Sequence, residues 1–242
     1  MKWVCSAVAL LVTSAAYSSD LSTYPQPLAD ALSRTYEAPE TAVWRFTLDI
    51  DVAGETMQVR FDGTQPDGAD WTLVSPANAD ALDGELAEMW SDMNTANDDE
   101  EEADGSVSIG RSGLFFDAET AAMIAGDVEL VEGVTFGLSY RFQPVLETGE
   151  ENDGMDEFLD GEVRIAPLGH VDQIRIFAPR SFKPHPAARI HSFEMLLGFE
   201  QIEGLPAPVM TSMSTQVDVS ALFQRQQQDL SFRFSDVEYV EP

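Results

Sequence analysis

From residue 42 the chain alternates. Trp44, Phe46, Leu48, Ile50 and Val52 are apolar, and Arg45, Thr47, Asp49 and Asp51 between them are polar. A period of two puts successive side chains on opposite faces of a strand. Gly54 follows, and then Met57, Val59 and Phe61 alternate with Gln58, Arg60 and Asp62. Two alternating runs around a glycine turn predict an antiparallel hairpin with one buried and one wet face. Trp71 to Val74 predicts a third short strand. Further strands are expected at 114–116, 134–142, 158–165, 171–177, 190–199, 209–219 and about 226–239. In the last of these the apolar phase slips between Phe234 and Val237, which predicts a bulge near Ser235. The three prolines within 178–186 predict a loop or an edge crossing.

The period changes in two places. Leu21, Tyr24, Leu28, Leu32 and Tyr36 recur at spacings of three and four, as do Leu82, Leu86, Met89 or Trp90 and Met93. These patterns predict amphipathic helices over 20–37 and 78–93. Residues 118–125 suit a helical turn, and Gly126-Asp127 reads as a turn. Nine or ten strands with no alternation of strand and helix exclude a parallel sheet. A flat meander of this width is unfavourable because strands twist. The expected fold class is therefore mainly β with two or three helices: a strongly curved antiparallel sheet, a half-open barrel, with the helices on its concave side.

The first 18 residues follow another rule. Lys2 precedes an apolar run from Trp3 to about Ala16, and small residues follow. These are the three parts of a secretory signal peptide, and the run is short of the ~20 residues a bilayer-spanning helix needs. Residues 1–18 are expected to be a signal peptide, and 20–242 a single β-rich domain working in the periplasm. Cys5, the one cysteine, falls inside the signal, so neither a disulfide nor a lipid on cysteine is expected in the remainder.

Charge narrows the partners. The chain carries 43 acidic and 13 basic residues, a formal net charge of −30. Nucleic acid needs a basic surface, and an anionic membrane repels this one. Dense acidic runs at 98–104 and 147–157 read as solvated loops. Apart from Lys2 only Lys183 is a lysine, and such an acid excess suits saline surroundings, where salt screens self-repulsion.

Little chemistry declares itself. Gly110-Arg111-Ser112-Gly113 lacks the glycine spacing of a nucleophile elbow. His170, His185 and His191 show no metal-ligand spacing, and no acidic loop places glycine and glutamate as a calcium loop requires. No cofactor or metal is implied, and an enzyme is not expected because no nucleophile, base and orienting group can be named together. The apolar face, by contrast, is rich in aromatic and methionine side chains. Trp44, Phe46, Met57, Phe136, Tyr140, Phe193, Met195 and Met213 are the candidate lining for an apolar ligand. The same alternation would also serve a filled core.

The order of elements carries a resemblance. A helix after a signal peptide leads into the Trp44–Phe61 hairpin, a helical insertion follows, and an antiparallel meander closes the chain. Its C-terminal part runs Phe182-Lys183-Pro184, strand 190–199, Leu205-Pro206 and two strands ending Phe234-Ser235-Asp236-Val237. In this outline the chain resembles the bacterial outer-membrane lipoprotein carrier superfamily, or an uncharacterised bacterial periplasmic family with a similar sheet. The resemblance implies a half-open barrel sheltering a lipid or lipoprotein acyl chain under helical lids. Arg45, Arg60 and Arg141 occupy polar-alternating positions, so none matches the inner-strand arginine of that family. The expectation is a periplasmic binding or carrier protein for a lipid or other apolar ligand. The alternative is a cell-envelope structural or protein-interaction module with a filled core.

Overall fold

The computed structural model describes residues 21–39, 41–65, 70–95, 114–131, 137–145, 155–185, 187–221 and 224–240. The signal-peptide expectation, the acidic run at 98–104, most of the second acidic run, and Phe136 lie outside the described residues.

The described chain is mainly β, with three α-helices and eleven strands. The strands form one antiparallel sheet that is not closed into a barrel. In chain order they are β1 (Val43–Val52), β2 (Glu55–Asp62), β3 (Trp71–Ser75), β4 (Ile124–Leu130), β5 (Leu138–Pro144), β6 (Asp160–Ile165), β7 (Val171–Phe177), β8 (Phe182–His185), β9 (Ala188–Glu200), β10 (Val209–Ala221) and β11 (Gln224–Val240). The hydrogen-bonded order is β3-β2-β1-β11-β10-β9-β7-β6-β5-β4, with β8 on β9. The helices are α1 (Gln26–Leu32), α2 (Gly84–Thr95) and α3 (Ala118–Ala122). The chain falls into two compact units, one drawn from Ala38–Leu114 and Asp229–Pro242, the other from Phe115–Gln228 and the segment ending at Glu37.

In the first unit the β1–β2 hairpin turns at Ala53 and Gly54, both at positive φ. Two such residues give the turn whose twist matches the flanking strands. Register then fixes the faces. Phe46 pairs with Phe61, Leu48 with Val59, and Ile50 with Met57. Across β1 the partners of Leu48 and Ile50 are Phe234 and Phe232. All of these side chains are buried. The bulge expected near Ser235 is present: pairing skips from Arg45–Glu238 to Thr47–Ser235, and Asp236 takes φ 52°.

In the second unit the apolar ladder is Tyr140–Val163–Ile174–Leu197–Met213 across β5, β6, β7, β9 and β10. Gly161 lies under Phe142, where a Cβ would come within 2.3 Å of the ring. The glycine is what lets the aromatic lie flat on the strand.

Helix α1 is shorter than the 20–37 expectation. Pro25 and Pro27 set its first turn, and Ser33 caps it. Beyond it the amide of Tyr36 donates to the carbonyl of Phe116 at 3.0 Å, a tertiary bond that replaces helical ones. The expected strand at 114–116 is a single bridge, Phe115 to Val209. Gly126-Asp127, read as a turn, instead lies within β4, where the register slips between Ala125 and Glu129. Glycine at φ 72° supplies that bulge without a steric penalty.

Candidate functional site

Seven of the eight candidate ligand-lining residues are described, and all seven are buried, at 5% exposure or less. Trp44, Phe46 and Met57 share the apolar face of the first unit. Phe46 stacks on Phe61 at 5.1 Å between centroids and meets Trp71 and Phe234 edge-on at 5.8 and 5.6 Å. Trp44 packs on its cross-strand partner Tyr239 at 4.9 Å. Tyr140, Phe193, Met195 and Met213 share the apolar face of the second unit, because Met195 pairs with Ile176 and Thr215, and Phe193 with Val217. Burial pushes the Tyr140 phenol above its ordinary pKa, so it stays neutral.

The opposite face of the second unit is polar and ordered by charge. Arg141 contacts Glu162 at 3.1 Å, Glu162 contacts Arg175 at 3.6 Å, and Arg175 reaches Glu194 at 2.8 Å. The guanidinium of Arg175 also lies 4.3 Å above the Phe177 ring. In the first unit Asp62 accepts from the Thr64 hydroxyl at 2.6 Å, Arg45 Nε at 2.9 Å and the Thr64 amide at 3.1 Å. Those bonds, the Thr64 hydroxyl first, hold its carboxyl well below the usual carboxylate range.

The same polar face carries an open groove of about 470 Å³, within the size range of small-ligand sites. Its floor follows from register. Arg164 pairs with Gln173, Gln173 with Gly198, and Gly198 with Ser212, so four strands contribute one cross-strand row. Gly198 has no side chain in that row, and a Cβ there would sit 2.4 Å from Ser212 Oγ. One wall is Arg164, whose Nε donates to Asp172 at 2.8 Å. Beside it is His170, 6% exposed, with Nδ1 buried and lacking a hydrogen-bond partner. Burial lowers the pKa of His170; Asp172 opposes this and Arg34 adds to it. Sequence reasoning missed this groove. Its one visible signal was Gly198, a glycine on the polar phase of a long strand.

The other histidines lie elsewhere. His185 Nδ1 accepts from the Ala187 amide at 3.2 Å. His191 Nε2 lies 2.9 Å from Ser220 Oγ, and Asp218 nearby is held by Arg225. A serine and a histidine in contact are two parts of a nucleophilic site. The third part is diverted here, since the Asp218 carboxylate is bound to Arg225 through both oxygens.

The chain matches no protein-family model, no curated protein and no solved structure.

Proposed function

We propose that the protein is a non-catalytic binding module exported to the cell envelope, with a filled apolar core and a polar sheet face that meets its partner. One observation carries this reading. The described side chains best suited to line an apolar cavity are buried within their own units, at 5% exposure or less. Ring centroids around Phe46 lie 5.1–5.8 Å apart, which is core packing. Export rests on the charge and apolar pattern of residues 1–18. The test joins two measurements. A reporter fused after residue 18 should be active only outside the cytoplasm. Protein purified from that compartment should carry no lipid by native mass spectrometry and should not take up a fluorescent fatty acid.

A second reading keeps the carrier idea. It is favoured by the seven-residue α1, whose segment is tied by two side-chain bonds: the Tyr24 hydroxyl to the Ile124 carbonyl at 3.0 Å and Arg34 Nη1 to the Leu168 carbonyl at 3.1 Å. A helix so short, packed against β6, suits a lid over an apolar surface. Co-purified lipid that is lost from a Met195→Gln variant would replace the first reading with this one.

A further inference from the structure

We infer that β3 is a docking edge for an extended, basic segment of a partner protein, which adds to the sheet as a further strand. Edge pairing is independent of the reading above, because it uses backbone groups of β3, whatever fills the core.

Strand β3 ends the sheet, with β2 on one side and no strand on the other among the described residues. Register shows which groups are left over. The Asp62 amide donates to the Asp70 carbonyl at 2.8 Å, so these two residues form a hydrogen-bonded pair. Antiparallel pairs alternate, so Arg60 and Thr72 form the next such pair. Trp71 and Leu73 flank Thr72, and their N–H and C=O groups point away from β2. Among the described residues no backbone group meets those donors and acceptors. The register shift in this pairing falls at Val74, beyond both residues. Such a row of outward groups is a template for another strand.

The other edge strand is guarded and this one is not. Strand β4 exposes Asp127 and Glu129 and carries a bulge between Ala125 and Glu129. Charge and bulges are the means by which edges resist pairing. Trp71–Ser75 contains no charged residue, and Val74 is 40% exposed. Trp71 and Leu73 continue the apolar phase of Phe61 and Val59 but are only half-buried. A further strand with apolar side chains at alternate positions would complete their burial.

Charge selects the partner. The chain has no lysine or arginine from residue 61 to residue 110. Six acidic residues fall within the described residues 70–95, with Asp70 at the entry to β3. A second copy of this chain would bring the same acidic stretch and a net charge of −30 against its own. A strand with lysine or arginine at its flanks supplies the missing sign, while an uncharged centre pairs with Trp71 and Leu73.

The experiment titrates the full chain, labelled with ¹⁵N, with synthetic peptides whose centre alternates valine with threonine or tyrosine. One set carries arginines at both ends, and a matched set carries glutamates there. At least one arginine-flanked peptide should shift the amide signals of Trp71 and Leu73 saturably, with a dissociation constant of about 0.1 mM or tighter. Its glutamate-flanked counterpart should bind about tenfold more weakly in about 0.05 M salt. Leu73→Pro removes an outward N–H without touching the pairing to β2, and should weaken the peptide about tenfold. Thr72→Lys, at an exposed position, is the second variant should the proline disturb the fold; its positive charge should weaken the peptide about threefold. The proposal is overturned if no arginine-flanked peptide moves those signals at about 1 mM, well above the expected dissociation constant. It is equally overturned if the glutamate set binds as tightly, or if both variants bind as tightly as the parent. Movement of the same signals on dilution of the protein alone would also overturn it, by making a second copy the occupant.

Discussion

His170 shows how much one side chain can hold. Folding removes its imidazole from water, and that burial favours the neutral ring. Asp172 pulls the other way, and Arg34 reinforces burial. The sign follows. In the unfolded chain the ring takes a proton near pH 6.5, whereas in the folded chain it does so only at lower pH. As pH falls through 6.5 the unfolded state therefore gains protons first, and stability is lost until the folded ring also titrates. Urea midpoints at pH 7.5 and 5.5 should fall more steeply for the parent than for a His170→Asn variant. Equal slopes would show that the ring titrates alike in both states. The pattern of alternating residues placed Phe46, Met57, Phe193 and Met195 on buried faces. It could not foresee His170, because the groove beside it exists only once four strands are in register.

Elements follow the same logic one level up. The strands at 43–52, 55–62, 171–177 and 188–200 were legible because each carries a buried apolar alternation over most of its length, although the phase slips after Val171 and after Ile190. Strand β4 was not, since Gly126-Asp127 breaks its alternation and only the pairing with β5 reveals a bulge. The N-terminal helix was over-extended because Tyr36 keeps the helical spacing while its backbone serves another partner. The bulge in β11 was legible as a phase slip, and it makes a testable demand. Asp236 sits at φ 52°, where a Cβ is tolerated best in asparagine and aspartate, and its carboxylate accepts from the Thr47 hydroxyl at 3.2 Å. Asp236→Gly should be close to neutral, because the lost hydrogen bond is offset by relief of backbone strain. Asp236→Val should destabilise by about 1–2 kcal/mol, since a β-branched residue is poorly accommodated there. Denaturant melts of both variants separate the two contributions. Equal losses would mean that the hydrogen bond, and not the backbone, sets the requirement.

For the molecule as a whole, charge is the dominant unbalanced quantity. Forty-three acidic side chains face thirteen basic ones, so no arrangement of ion pairs can neutralise the surface. Five of the described arginines, Arg45, Arg141, Arg164, Arg175 and Arg225, each already contact a carboxylate. The remaining acids repel one another, and folding brings them closer than they are in the extended chain. Their repulsion reaches as far as the Debye length, about 30 Å at 0.01 M salt and about 8 Å at 0.15 M. Raising sodium chloride over that interval should therefore raise the melting temperature steeply, and the gain should flatten once the screening length falls below the spacing of neighbouring charges. Potassium chloride should act alike. Sucrose at matched osmolarity should not reproduce the steep rise, because it is excluded from surfaces without screening charge. A melting temperature that is unchanged between 0.01 M and 0.15 M salt would mean that the excess carboxylates lie too far apart to repel, and the case for saline surroundings would lose its physical basis.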